Sequence, residues 1–186
     1  WGCLLSLLCI FMLVLPVMAS ESPETDSEVS AVTSEESAVP TENPAIPEER
    51  QKPLLVDDAG LLTEEESSAL LNKLEDISQK YENEVGIVTV NSLGGKTAEA
   101  YADDYYDYNG YGYGENDDGL LLLISMGERE WAISTYGYSH TVAFTDAGLE
   151  FISSEFKSKL SSGNYADAFN CFADQCDDFL RQAATG

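Results

Sequence analysis

Apolar residues recur along this chain with two periods, and the switches between them mark its elements. Thr63-Glu64-Glu65-Glu66 has the spacing of a helical capping box, and Leu70, Leu74, Ile77 and Tyr81 follow on one helical face, so a first helix is expected over Thr63 to Tyr81. Val85-Gly86-Ile87-Val88-Thr89-Val90 is a β-branched run suited to a buried strand. Ala98, Tyr101, Ala102 and Tyr105 then trace a second helical face, and Gly119-Leu120-Leu121-Leu122-Leu123-Ile124 reads as a central strand covered on both sides. Gly127-Glu128 makes a turn, after which Trp131, Ile133 and Thr135 alternate as in a hairpin partner strand. Thr145-Asp146 caps a third helix with Leu149, Ile152, Phe156 and Leu160 inward. A fourth carries Tyr165, Phe169, Phe172, Cys176 and Phe179.

Strand, helix and strand in that order call for a right-handed crossover and hence a parallel pair. The pattern therefore predicts an α/β domain, a small mixed sheet between about four helices in three α/β/α layers.

The N-terminal third has a different texture. Trp1 to Val17 is almost continuously apolar and uncharged, and Val17-Met18-Ala19 places small residues where signal peptidase cuts, so residues 1–19 are expected to be a signal peptide or an N-terminal anchor. Either directs the remainder out of the cytoplasm, to the cell envelope or the outer face of the membrane. Residues 20–52 are Ser, Thr, Pro and acid. Such a stretch has too little apolar area to offset a backbone ordering cost of about 1–2 kcal/mol per residue, and is expected to be a disordered linker. The folded domain is assigned to residues 53–184.

Charge narrows the partners. With 34 Asp and Glu against 9 Lys and Arg, the formal net charge is −25. Nucleic-acid phosphates are repelled, and cations are the natural ligands. Cys171 and Cys176 stand five apart on the fourth helix, about 7.5 Å along its axis and too far for an intrahelical disulfide, so both are expected to be small core residues. No CxxC pair is present.

Four local signatures carry a family resemblance: Leu55-Val56-Asp57-Asp58-Ala59-Gly60-Leu61-Leu62 before the first helix; Tyr101-Ala102 followed by Asn109-Gly110-Tyr111-Gly112; Asn116-Asp117-Asp118-Gly119 running into the second strand; and Gly137-Tyr138 followed by Phe144-Thr145-Asp146-Ala147. In this order and spacing, over roughly Pro53 to Leu180, the chain resembles the TPM domain family of thylakoid-lumen, photosystem-repair and acetylcholine-receptor-modulator proteins. The resemblance implies an α/β/α sandwich facing a lumen or the cell exterior, divalent-metal binding by acidic residues, and weak phosphatase activity in some members. It matches Asp57, Asp117 and Asp146 to family aspartates, while Asp118 stands where Asn is common. Members often continue into a C-terminal transmembrane helix, so the expected membrane tether is the leader or a segment beyond Gly186.

The chemistry can then be weighed. Hard cations such as Ca²⁺ take six to eight oxygen ligands. Asp57, Asp117, Asp118 and Asp146 are the expected metal ligands if their loops converge; otherwise Asp57 and Asp146 are cap or turn residues and Asn116 to Gly119 is a plain turn. A phosphatase would use Asp57 and Asp117 to hold an ion that activates water, although only Lys96 and Arg129 lie near the motifs to steady a phosphate. The EF-hand pattern is absent. Gly94-Gly95-Lys96-Thr97 lacks the earlier glycine of a phosphate-binding loop and reads as a helix start. His140, the single histidine, reads as an incidental loop residue. Tyr101, Tyr105, Tyr106, Tyr108, Tyr111 and Tyr113 cluster around glycines, which leaves a protein-contact surface as the metal-free alternative. The leading expectation is a domain that binds a divalent cation and assists membrane or envelope proteins.

Overall fold

The computed structural model describes residues 47–186, so the predicted leader and most of the predicted linker lie outside the described residues. Four strands and four long helices follow: β1 (Leu55–Asp57), α1 (Glu64–Tyr81), β2 (Glu84–Val90), α2 (Ala98–Tyr108), β3 (Gly119–Ser125), β4 (Glu130–Tyr136), α3 (Asp146–Ser161) and α4 (Tyr165–Thr185). The sheet order is β1-β2-β3-β4, with β1, β2 and β3 parallel and β4 antiparallel to β3. Helix α2 covers one face. Helices α1 and α4 cover the other, with α3 packed on α4.

Every residue of β2 and β3 is buried, as their unbroken apolar runs require of strands covered on both faces. Their register runs from Glu84 opposite Gly119 to Val90 opposite Ser125. Strand β1 extends the sheet by three residues, placing Asp57 opposite Thr89. The sequence pattern missed β1 because three residues are too few to show an alternation. Around the sheet, Phe156, Phe169 and Phe172 are fully buried, each contributing about 1.5–3 kcal/mol of apolar burial.

Sequence spacing located the helix starts closely. Thr63 accepts the Glu66 amide and Glu66 returns a bond to the Thr63 amide, a complete capping box. Thr97 and Thr145 cap α2 and α3 in the same position, which settles Gly94 to Thr97 as a helix-starting loop. Cys176 is buried as expected, whereas Cys171 is half-buried; both are free thiols. On α2 the buried face is Ala98, Ala102 and Tyr106, with Tyr101 and Tyr105 only half-buried.

The last residues assigned to the linker pack against the domain. The Gln51 amide donates to the Asn109 carbonyl at 2.8 Å, and the Arg50 guanidinium reaches Glu75 of α1 at 3.0 Å and Glu84 of β2 at 3.1 Å. Gly110, at φ 60°, passes beneath this strap, where a Cβ would strike the Pro47 and Glu49 carbonyls. Glu84 is the buried end of the ion triad, and its second oxygen accepts the Gly112 amide at 2.9 Å.

Burial lifts the Glu84 carboxyl above the usual carboxylate range, and the Gly112 amide and Arg50 offset this only in part. The folded chain therefore keeps this proton at pH values where the unfolded chain has lost it. The resulting stability is fully present below the unfolded pKa and is lost as pH rises through the raised folded one. Urea midpoints measured from acid to neutral pH are expected to show Glu84→Gln flattening this decline. Arg50→Ala is expected to steepen it and to cost about 1–3 kcal/mol at neutral pH.

Candidate functional site

The β2–β3 register decides what the four predicted aspartates can do together. Asp57 closes β1 at the carboxyl end of the parallel strands, beside Thr89; Asp117 and Asp118 precede β3 at the amino end, beside Glu84. Thr89 and Glu84 are five strand residues apart, about 16 Å at ~3.3 Å per residue. The predicted four-aspartate metal site, with Asp57 and Asp117 as its catalytic pair, therefore does not assemble: one ion cannot touch both ends of a fully paired strand.

Asp57 is also already engaged. Its Oδ1 accepts the Thr89 hydroxyl at 2.5 Å and its Oδ2 the Leu62 amide at 2.8 Å, so the carboxylate ties the end of β2 to the approach of α1. That is the turn-residue role weighed for it in the sequence. Asp146 is exposed in the first turn of α3, just after the Thr145 cap. Lys96 pairs with Asp104, Arg129 occupies the hairpin turn at φ 58°, and exposed His140 places Nδ1 3.1 Å from the Thr135 hydroxyl.

The amino end of the parallel strands does gather groups. A short 3₁₀ turn, Gly114–Asn116, leads into Asp117 in the left-handed region, and Tyr113 and Asp118 then pair with each other through both backbone bonds at 3.0 Å. Asp118 Oδ1 accepts the Tyr138 amide at 2.5 Å, fixing the start of the π-helical turn Ser139–Ala143 after β4 beside the loop before β3. Gly137, at φ 55°, is required there because a Cβ would run into the Asp118 carboxylate. A groove of about 700 Å³ opens at this junction, lined by the oxygen donors Glu82, Asn116, Asp118 and Thr141 together with Tyr138.

Beside it lies an uncompensated negative cluster. The Asp107 carboxyl is raised by partial burial and then by Asp103, Asp104 and Asp117. Among the described residues, no ion pair involves Asp103, Asp107, Asp117 or Asp118. Tyr106 underlies the cluster, stacked on Tyr136 at 4.0 Å with its hydroxyl donating to the Asp117 carbonyl. Tyr108, Tyr113 and Tyr138 are the exposed tyrosines. The sequence pointed to the tyrosines and to Asp117 and Asp118. It gave no sign of Glu82, which a separate loop brings to the groove, nor of Asp103 and Asp107 on α2.

The fit of a divalent ion follows from these placements. Among the described residues, no three His, Cys, Asp or Glu side chains are grouped to hold a metal. The groove offers two carboxylates, Glu82 and Asp118, so a hard cation there would keep most of its water. Asp57→Ala is expected to lower unfolding free energy by about 1–3 kcal/mol, because it strands the Leu62 amide and the Thr89 hydroxyl. Calorimetric Ca²⁺ titration of the same variant is expected to match the unsubstituted chain.

Comparisons with known proteins agree with the architecture. In solved structures, similar folds are found in the N-terminal domain of a P. gingivalis protein (24% identity, TM-score 0.60, 70% of this chain and 83% of that one) and in the N-terminal domain of the cg2496 protein from Corynebacterium glutamicum (20%, 0.55, 71% and 82%). The BA42 protein from Bizionia argentinensis is similar at 13% identity and TM-score 0.57, over 66% of this chain and 83% of that one. At these identities the likeness concerns the fold. None of the curated proteins matches the chain. Residues 55–179 match the family model described as the TPM domain, and the chain belongs to the TPM domain family.

Proposed function

We propose that this chain is an extracytoplasmic TPM-type domain that assists membrane or envelope proteins by holding a cationic segment of a partner at the amino end of its parallel strands. The observation that carries this reading is the crowding of Asp103, Asp107 and Asp117 without a basic partner among the described residues, beside exposed Tyr113 and Tyr138. Like charges brought together at a surface cost stability, and a Lys or Arg arriving from outside relieves that cost. Tyrosine faces next to carboxylates suit such a side chain, giving a π surface for its stem and head and a charge for its end.

A second reading rests on the groove lined by Glu82, Asn116 and Asp118, whose oxygen donors favour a hydrated divalent cation such as Ca²⁺. The carboxylates of the two readings adjoin at Asp117 and Asp118, so ion and partner would compete. Phosphate hydrolysis has weaker support. Asp57 and Asp117 cannot share an ion, and Lys80 and Arg181 on the flanking helices are already paired with Asp177 and Asp178.

Calorimetric titration with a short oligolysine peptide tests the first reading. Binding is expected to weaken steeply as salt rises, and the pair Tyr113→Ala with Asp117→Asn is expected to lower affinity about tenfold, or ~1.4 kcal/mol. Heat that ignores both salt and the substitutions would remove the reading. A Ca²⁺ titration expected to lose its heat in Asp118→Asn, and to compete with the peptide, tests the second.

A further inference from the structure

Among the described residues, the sheet ends on one side in a strand whose outer edge no other strand covers. β4 is the terminal strand of the order β1-β2-β3-β4 and runs seven residues, Glu130-Trp131-Ala132-Ile133-Ser134-Thr135-Tyr136, with all seven paired to β3 on its inner side. The opposite edge, β1, is only three residues long. Natural edges are guarded by Lys, Pro, bulges or shortness. β4 has none of these and holds β-branched and aromatic residues that favour further pairing.

Along that outer edge runs a groove of about 770 Å³, walled by the first turn of α2 on one side and the first turns of α3 on the other. Strand alternation splits its surface. Trp131 and Ile133 turn toward α3, where Trp131 meets Phe156 edge-on and carries the Lys157 ammonium over its ring at 4.3 Å. Ala132 and Ser134 turn toward α2 and Asp103. The rim is negative: Glu99 from α2, Glu130 from β4 and Glu150 from α3 are exposed, against Arg129 and the Lys157 ammonium over Trp131.

We infer that β4 is an acceptor edge for an extended, cationic segment of another protein, which adds a fifth strand by backbone pairing. Its alternate side chains would lie on Ile133 and Leu149 and reach the glutamates of the rim. Charge decides the occupant. A second copy pairing β4 to β4 would bring two strongly acidic domains, and two sets of the same three glutamates, edge to edge; a segment carrying Lys or Arg meets their complement. This edge adjoins the tyrosine and aspartate end proposed above at Asp103, but its groove and its glutamates are its own, and neither inference needs the other.

The test uses the full chain and a short peptide alternating lysine and valine, with an alternating glutamate and valine peptide as control. Hydrogen exchange read residue by residue is expected to show the outward-pointing alternate amides of 130–136 slowed by the lysine peptide and not by the glutamate one. Joint reversal of the rim by Glu99→Lys and Glu150→Lys, both exposed, is expected to exchange the two preferences while far-ultraviolet circular dichroism stays unchanged. Three outcomes overturn the inference: equal protection by both peptides, protection confined to residues 113–118 and 138, or concentration-dependent protection of 130–136 without peptide, which would make the occupant a second copy.

Discussion

Seven consecutive parallel pairings between β2 and β3 fix where everything else in this domain can be. Because both strands are buried along their whole length, neither can slip by one residue without turning its side chains to the opposite face. The register is thus locked, and with it the two ends of the sheet. For the three parallel strands, loops that follow them emerge at one end and loops that precede them at the other. Asp57 belongs to the first group and Asp117 and Asp118 to the second, and no motion short of unfolding brings them together.

The two ends are then used differently. At the carboxyl end, each Asp57 oxygen accepts one internal bond, from the Thr89 hydroxyl and from the Leu62 amide, and the carboxylate serves as a tie between β2 and the approach of α1. The amino end is built from more distant parts: the Arg50 strap on Glu75 and Glu84, the paired turn of Tyr113 and Asp118, the loop after β4 held on Asp118, and the acidic face of α2. Among the described residues, Asp103, Asp107, Asp117 and Asp118 add negative charge there that no internal ion pair neutralises. In a domain this acidic, such a concentration is costly unless something positive arrives, which is the physical ground for placing recognition at this end.

Much of the fold was legible because its signals are local. The Thr63 capping box, the Thr97 and Thr145 caps and the leucine run of β3 state their structure within a few residues, and the helix between two buried strands enforces the parallel crossover. Strand β1 escaped because three residues show no period, and the strap because Ser, Pro and Glu composition argues for disorder until a specific partner such as Glu84 is known. The site was half legible. Asp117, Asp118 and the tyrosines stand out in the sequence, but whether Asp57 joins them is a question of which end of a strand a loop leaves from. Family likeness to a string of aspartates is blind to that distance, and so it grouped residues that the sheet separates.

The most direct test of that separation is a double-mutant cycle pairing Asp57→Asn with Asp118→Asn, followed by urea unfolding with Ca²⁺ in excess and again with a chelator. Sites this far apart with no shared partner are predicted to add within about 0.5 kcal/mol under both conditions. A coupling above about 1 kcal/mol that appears only with Ca²⁺ would mean that the two carboxylates share an ion, and would contradict the account.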